Sequence, residues 1–270
     1  MNDAQAVKAV SAAVAGAAAA RPLFAIEVDP LARRDSALLE AGYRVVEFVL
    51  AVVGVLLTLP ILVTAAVLIR LDSPGPVLFF HPRSGRSKIM KGEDLVGRTD
   101  IVSPTGRFEP GKLYHVPTTF RLAKFRTMYT DSRERFPNLG RHEFRSSEEF
   151  LNAFYKQEAD PRVTRSGAWL RRYSIDEFPN FWNVLTGDVS LVGPRPEIPS
   201  YLPFYSADHM RKFTVKPGIT GLAQTNGRSL LTIGQVLDWD LRYVRERSVG
   251  LDLKIFVATV WLVLAKRGAF

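Results

Sequence analysis

The apolar positions of this chain form one long run and several short ones. Val45 to Ile69 is a 25-residue stretch whose only charge is Glu47, near its start. That length and purity suffice to span a bilayer. Pro60 lies past the middle, where a proline removes a backbone hydrogen bond and kinks a helix. Thr58, two residues earlier, is placed to satisfy a carbonyl that Pro60 frees. Basic residues flank both ends: Arg33, Arg34 and Arg44 before, then Arg70, Arg83, Arg86 and Lys88 after. Positive flanks favour the cytoplasmic side, and here both ends carry them. Two readings stand at this point, a kinked spanning helix or a helix that bends at Pro60, dips into the bilayer and returns. A second apolar run, Ile255 to Ala265, is too short to span and ends in Lys266 and Arg267. With Trp261 it reads as a helix lying at headgroup level or as a core helix.

Between these runs the pattern changes. Ser73-Pro-Gly-Pro76 is a strong break. Val77 to Phe80 reads as a strand, Ser84-Gly85-Arg86 as a turn, and residues 91–117 as an irregular insertion. Phe120 to Met128 reads as the partner strand. Alternation there puts Leu122, Lys124 and Arg126 on one face and Arg121, Ala123 and Phe125 on the other. Ser146-Ser-Glu-Glu149 has capping-box spacing and precedes Phe150, Leu151, Phe154 and Tyr155 at helical intervals. Further on, Ile175, Phe178, Trp182 and Leu185 recur at helical spacing, and Gly187 ends the run. Pro179 is acceptable only in a first turn, so that helix is expected to start close to Asp176.

Composition narrows the picture further. The formal net charge is +9, which points to an anionic partner such as nucleic acid, an anionic membrane face or a phosphorylated substrate, or simply to a solvated basic surface. There is no cysteine, so disulfides, thiolate catalysis and cysteine-based zinc sites are excluded. His81, His115, His142 and His209 show no metal-ligand spacing. The alanine-rich start lacks the strong apolar centre of a signal peptide, and residues 1–35 are expected to be an unstructured or weakly helical tail.

Asp176 and Glu177 sit where a helix N-terminus favours negative charge and keeps a carboxylate ionised, as a nucleophile must be. The same pair reads equally as ordinary capping, because Ser174-x-x-Glu177 matches a capping box. Arg165, Arg171 and Arg172 crowd this helix, Lys124 and Arg126 share a strand face upstream, and Gly193-Pro-Arg-Pro196 holds Arg195 in a rigid setting. Arginine forks suit diphosphate oxygens. Each of these cations taken alone also reads as a surface ion pair.

Together these pieces resemble the bacterial sugar transferase family, the monotopic polyprenyl-phosphate phosphoglycosyl transferases. The matching segments run in order: the apolar segment with its internal proline, LDSPGPVLF, KFRTM, DPRVTRSGAWLRRYSIDEFPNFWNVLTGDVSLVGPRPEIP, KPGITGLAQTNGR and the LDLKIF ending. The likeness covers roughly residues 40–270, broken by divergent insertions near 90–118 and 133–158. It implies an α+β, helix-dominated fold: a re-entrant membrane helix hairpin at 36–72 broken at Pro60, then a cytoplasmic catalytic domain at 73–270 with a β-hairpin and interfacial helices. It implies transfer of a sugar-1-phosphate from a UDP-sugar to polyprenyl phosphate. Asp176 is then the nucleophile and Glu177 its assistant, with Mg2+ held by this pair. Arg171 would hold phosphate, and Lys124, Arg126 and Arg195 are further candidates for the phosphate or nucleotide pocket. The implied location is the bacterial inner membrane, among its lipids, on the cytoplasmic face, with a homodimer left open. No nucleic-acid-binding motif appears. A non-catalytic scaffold of the same fold would be expected to have lost the Asp-Glu pair, which is intact here.

Overall fold

The computed structural model describes residues 23–28, 37–137, 139, 144–154, 160–227 and 230–265. Short strands β1 (Leu23–Phe24) and β2 (Ile26–Glu27) precede helix α1 (Ala37–Asp72). α1 is the only helix among the described residues that is long and apolar enough to cross a membrane, with a mean hydropathy of 2.7 over its most apolar window. Most of its large side chains, Leu56, Leu57, Val63 and Leu71 among them, point outward, and only Glu47, Ala51, Ala65 and Ile69 are buried. So much exposed apolar surface is stable against lipid rather than water.

α1 continues through Pro60. Thr58 does not take up the Leu56 carbonyl that loses its usual donor at Pro60. Its hydroxyl donates to Gly54 O at 2.7 Å, within its own turn.

After the Ser73–Pro76 break, β3 (Leu78–Lys91) pairs antiparallel with β5 (Leu113–Phe125). The hairpin expected from sequence is therefore present, and longer than expected. The predicted turn at Ser84 to Arg86 is instead a register shift between Ser84 and Ser87 within a continuous strand, which bends the ribbon without ending it. The insertion at 91–117 is not wholly irregular either. It contains β4 (Ile101–Val102), which pairs parallel with β1, while β2 pairs antiparallel with β5. Residues 23–28 of the expected tail are thus ordered strands, and the rest of 1–35 lies outside the described residues. The cause is a small core of Ala25, Leu95, Ile101, Tyr114 and Val116, which neither the tail nor the insertion closes alone.

The helices that follow are α2 (Ser132–Arg135), α3 (Ser147–Asn152), α4 (Arg165–Arg172) and α5 (Asn180–Thr186). The Ser146 hydroxyl caps α3 by accepting from Glu149 N at 3.1 Å. α3 buries Phe150 beside Leu202, Tyr205 and Leu237. It ends at Asn152, so Phe154 is off the helix and exposed, and Tyr155 lies outside the described residues. Parallel strands β6 (Ser190–Val192) and β7 (Gly218–Thr220) lead to α6 (Leu222–Thr225), α7 (Ile233–Glu246) and α8 (Val249–Leu264).

α1 carries the polar contacts that fix these parts. Asp72 accepts from Ser166 N at 2.9 Å and Ser166 Oγ at 2.8 Å, at the start of α4. Gly54 lies against the Phe181 ring, which a Cβ at residue 54 would approach to 3.0 Å. The Arg44 guanidinium donates to the carbonyls of Val184 and Leu185 at the end of α5. Glu47 accepts from Leu191 N of β6 at 3.2 Å.

Arg126 closes the C-terminal end of α1. It donates to the carbonyls of Ser73 at 2.8 Å, Pro74 at 2.8 Å and Pro76 at 2.7 Å, and to Ser73 Oγ at 2.9 Å. Replacing Arg126 by Leu strands these acceptors and is expected to cost about 2–4 kcal/mol of stability. Lysine, a point charge without the planar fork, should recover little of it. Thermal unfolding of the detergent-solubilised variants measures both.

Candidate active site

The site is assembled from three short turns. Thr164 caps α4, its hydroxyl accepting from Gly167 N at 3.0 Å. Gly167 is required because the Thr127 backbone passes so close that a Cβ there would lie 2.2 Å from Thr127 O. α4 then delivers Arg171 in its last turn. The next reversal is at Ser174, whose φ of 55° is the only positive value at a non-glycine among the described residues. This left-handed position just after a helix is usually glycine. It turns the chain so that Ile175 plugs a core of Ile69, Phe125 and Leu170, and the 3-10 turn Ile175–Glu177 presents Asp176 and Glu177.

The capping box is therefore not formed. Ser174 makes no side-chain cap bond, and the Glu177 carboxylate instead receives Lys124 Nζ at 2.6 Å. The α-helix itself starts at Asn180, behind Pro179, and not near Asp176. Its period was legible but its face was not. Trp182 is 61% exposed, whereas Asn183 and Val184 are buried. Asn183 joins α5 to β5, accepting from Ala123 N at 2.9 Å and donating to Arg121 O at 2.9 Å. That pairing sets Glu177 against Lys124.

Lys124, Glu177 and Arg195 line one cleft, with Leu122, Val189 and Ile219 as its apolar wall. Arg171 stands to the side, its Nε donating to Thr127 Oγ1 at 2.9 Å. Burial lowers the Arg171 pKa from its ordinary value, while the charge of Asp176, and that of Asp160 after it, favours the cation. Asp176 and Arg171 thus face one another electrostatically. Arg126 does not join them. Its guanidinium is committed to the end of α1, because β5 stops at Phe125 and the strand alternation that paired Arg126 with Lys124 stops with it.

Arg83, Asn180 and Gln224 also line the cleft. Gln224 belongs to the KPGITGLAQTNGR segment and Asn180 to the segment from Asp160 to Pro199, whereas Arg83 is marked in the sequence only as a basic flank of the apolar run. Among the described residues no group of three or more acidic or histidine side chains converges. Magnesium is commonly held by one or two carboxylates, with substrate phosphates and water supplying the rest. The adjacent carboxylates of Asp176 and Glu177 fit that donor set.

A sequence model of the family described as "Bacterial sugar transferase" matches residues 39–91 and 112–266. The gap falls on the hairpin tip between β3 and β5. Among curated relatives, "Galactosyl transferase CpsE" of Streptococcus agalactiae serotype III is 39% identical over 151 residues, 56% of this chain and 32% of that protein. "Uncharacterized sugar transferase EpsL" of Bacillus subtilis is 44% identical over 149 residues, 55% of this chain and 65% of that protein. "UDP-glucose:undecaprenyl-phosphate glucose-1-phosphate transferase" of Caulobacter vibrioides is 33% identical over 235 residues, 84% of this chain and 71% of that protein. The chain thus spans less than two thirds of the first two relatives' length.

Because a left-handed serine is strained by about 1–2 kcal/mol and glycine is not, Ser174→Gly is expected to raise stability. After the larger backbone entropy of glycine in the unfolded chain is offset, the gain should be about 0.5–1 kcal/mol. Chemical denaturation of purified variant and parent checks the sign.

Proposed function

The chain belongs to the bacterial sugar transferase family, and from that premise we propose that it transfers a sugar-1-phosphate from a UDP-sugar to polyprenyl phosphate. The observation that carries this reading is the strained turn that presents Asp176 to the charge of Arg171 and Glu177 to Lys124, in a cleft that Arg195 also lines. A nucleophilic carboxylate set among cations both stays ionised and approaches an anionic phosphorus.

In the first step an Asp176 oxygen bonds to the β-phosphorus, and the bond from that phosphorus to the bridging oxygen breaks. UMP leaves with the electron pair, and the phosphosugar stays on Asp176. A phosphate oxygen of the polyprenyl phosphate then attacks the same phosphorus and displaces the aspartate. Lys124 and Arg195 hold the diphosphate oxygens, Arg171 holds phosphate beside Asp176, and Glu177 orients the group or handles a proton. Magnesium bound by Asp176 and Glu177 would neutralise negative charge on the diphosphate.

The lipid acceptor requires a site at the membrane face, and α1 supplies the anchor. Its contacts with the rest of the chain favour the re-entrant reading. Arg44, Glu47 and Gly54 touch α5 and β6, and Ile69 and Asp72 touch the start of the catalytic segment. A crossing helix would carry one of these ends about 30 Å away, to the far side of the hydrocarbon. The basic flanks favour the cytoplasmic face of the inner membrane for both ends and for the catalytic domain.

Detergent-solubilised protein with magnesium and a panel of UDP-sugars is expected to release UMP, dependent on undecaprenyl phosphate and on one donor. UDP release would overturn the mechanism, and no release from folded protein would favour a scaffold. Asp176→Ala should lower turnover by about 10³-fold or more while leaving folding intact. The absence of cysteine makes single-cysteine probes clean. Gly42→Cys and Leu71→Cys should both react with an impermeant maleimide from the cytoplasmic side, and a split result means a spanning helix.

A further inference from the structure

Behind the cleft lies a buried charge cluster that the proposed chemistry does not use. Lys212, Glu197 and Asp240 come from three separate segments, and each side chain is 1% exposed. The Lys212 ammonium sits 2.9 Å from Asp240 Oδ2 and 3.7 Å from Glu197 Oε2, as an ion pair rather than an aligned hydrogen bond. The rings of Tyr205 and Phe213 enclose it, each with its centroid 5.7 Å away. Burying three charges is expensive, and a well-packed apolar substitute is often as stable. The arrangement therefore calls for an explanation other than stability.

Both carboxylates act on the segment that carries Arg195 into the cleft. Asp240 Oδ1 accepts from Arg195 N at 3.4 Å. Glu197, two residues on, accepts from Ile198 N at 2.9 Å and from the Tyr205 hydroxyl, while its carbonyl accepts from Ser84 N at 2.8 Å. Further constraints come from backbone and from Arg83. Gly193 N donates to Thr220 O at 2.9 Å, Pro194 O accepts from Gly218 N at 2.9 Å, and Pro196 O accepts from Arg83 at 3.1 Å. The two prolines fix φ on either side of Arg195. Lys212 bridges the two carboxylates, Asp240 on Arg195 N and Glu197 on Ile198 N, that hold this segment from behind.

We propose that Lys212, through Asp240 and Glu197, is a positioning residue that fixes the backbone of Arg195 so that its side chain meets the donor diphosphate. The inference rests on the phosphoglycosyl transfer reading above. Without Lys212 two carboxylates are left buried together, one must take a proton, and the clamp on residues 195 and 197 loosens. The consequence is felt in donor binding and not in membrane anchoring.

A double-mutant cycle on UMP release tests this, with the unfolding temperature of each variant measured in parallel. Lys212→Met is expected to lower kcat/KM about 10-fold, mainly through KM for the UDP-sugar, and Arg195→Ala about 100-fold. If Lys212 acts through Arg195, the double variant falls about 100-fold and not the about 1,000-fold of independent sites. Multiplicative loss, or an unchanged KM in Lys212→Met, overturns the proposal. Should Lys212→Met fail to fold, Asp240→Asn keeps the shape and an acceptor for Arg195 N, breaks the ion pair, and must show the same non-additivity. Parent protein that releases no UMP sinks the functional reading, whereas active parent with multiplicative losses sinks only the role of Lys212.

Discussion

Everything in this molecule depends on a few polar side chains of an otherwise apolar helix reaching sideways into the catalytic segment. Asp72 holds the start of α4, Arg44 the end of α5, and Glu47 the backbone of β6. Polar groups in a membrane-associated helix are expensive unless they face protein, and these three do. The contacts run antiparallel to the catalytic segment, so α1 serves as a rail along which residues 166–191 are laid. On the proposed reaction a lipid-linked phosphate arrives at a depth set by the bilayer, and its partner must wait at that depth. On that reading, fixing the acidic turn to the long apolar helix itself solves this problem directly. Arg126 completes the arrangement by holding the exit of α1 in a fixed direction before the hairpin begins.

The parts legible in the sequence were those whose cause is local. The apolar run from Val45 to Ile69, the Ser73–Pro76 break and the hairpin pairing of β3 with β5 follow from composition, proline chemistry and alternation. The parts that were not legible have causes elsewhere in the chain. Residues 23–28 read as a tail because their partners, β4 and β5, lie far along the sequence. Trp182 reads as a core residue until the surface it faces is known, while Asn183, the true inner residue, looks polar and superficial. Its burial is permitted because its amide replaces a strand at the edge of β5.

The candidate site shows the same division. Asp176, Glu177, Lys124 and Arg195 were identifiable from motif and charge, and the fold brings the last three to one cleft. Arg126 was misplaced because alternation carries information only while a strand lasts. Ser174 matched a capping pattern, yet its backbone is left-handed, which is the opposite of what an N-cap requires. That conformation is imposed by Ile175 entering the core beside Leu170, a tertiary demand that no local rule contains.

The basic excess of this chain is better understood by what each cation touches than by its sum. Arg44 and Arg126 spend their donors on carbonyls at helix ends, and Arg162 is paired with Asp160. Lys124, Arg83 and Arg195 line the cleft with Glu177, and Arg171 faces the charge of Asp176. In the proposed reaction a carboxylate attacking an anionic phosphorus would gain from such neighbours twice: they keep it ionised, and they offset the repulsion as it closes on phosphorus. The gain is kept only if the cations cannot drift toward the carboxylate and neutralise it outright. Proline on both sides of Arg195 and Thr127 on Arg171 restrict that drift, whereas Lys124 is already paired with Glu177 at 2.6 Å. Rigidity in these supporting groups therefore fixes where Arg171 and Arg195 stand relative to the acidic turn, while Lys124 is committed to Glu177.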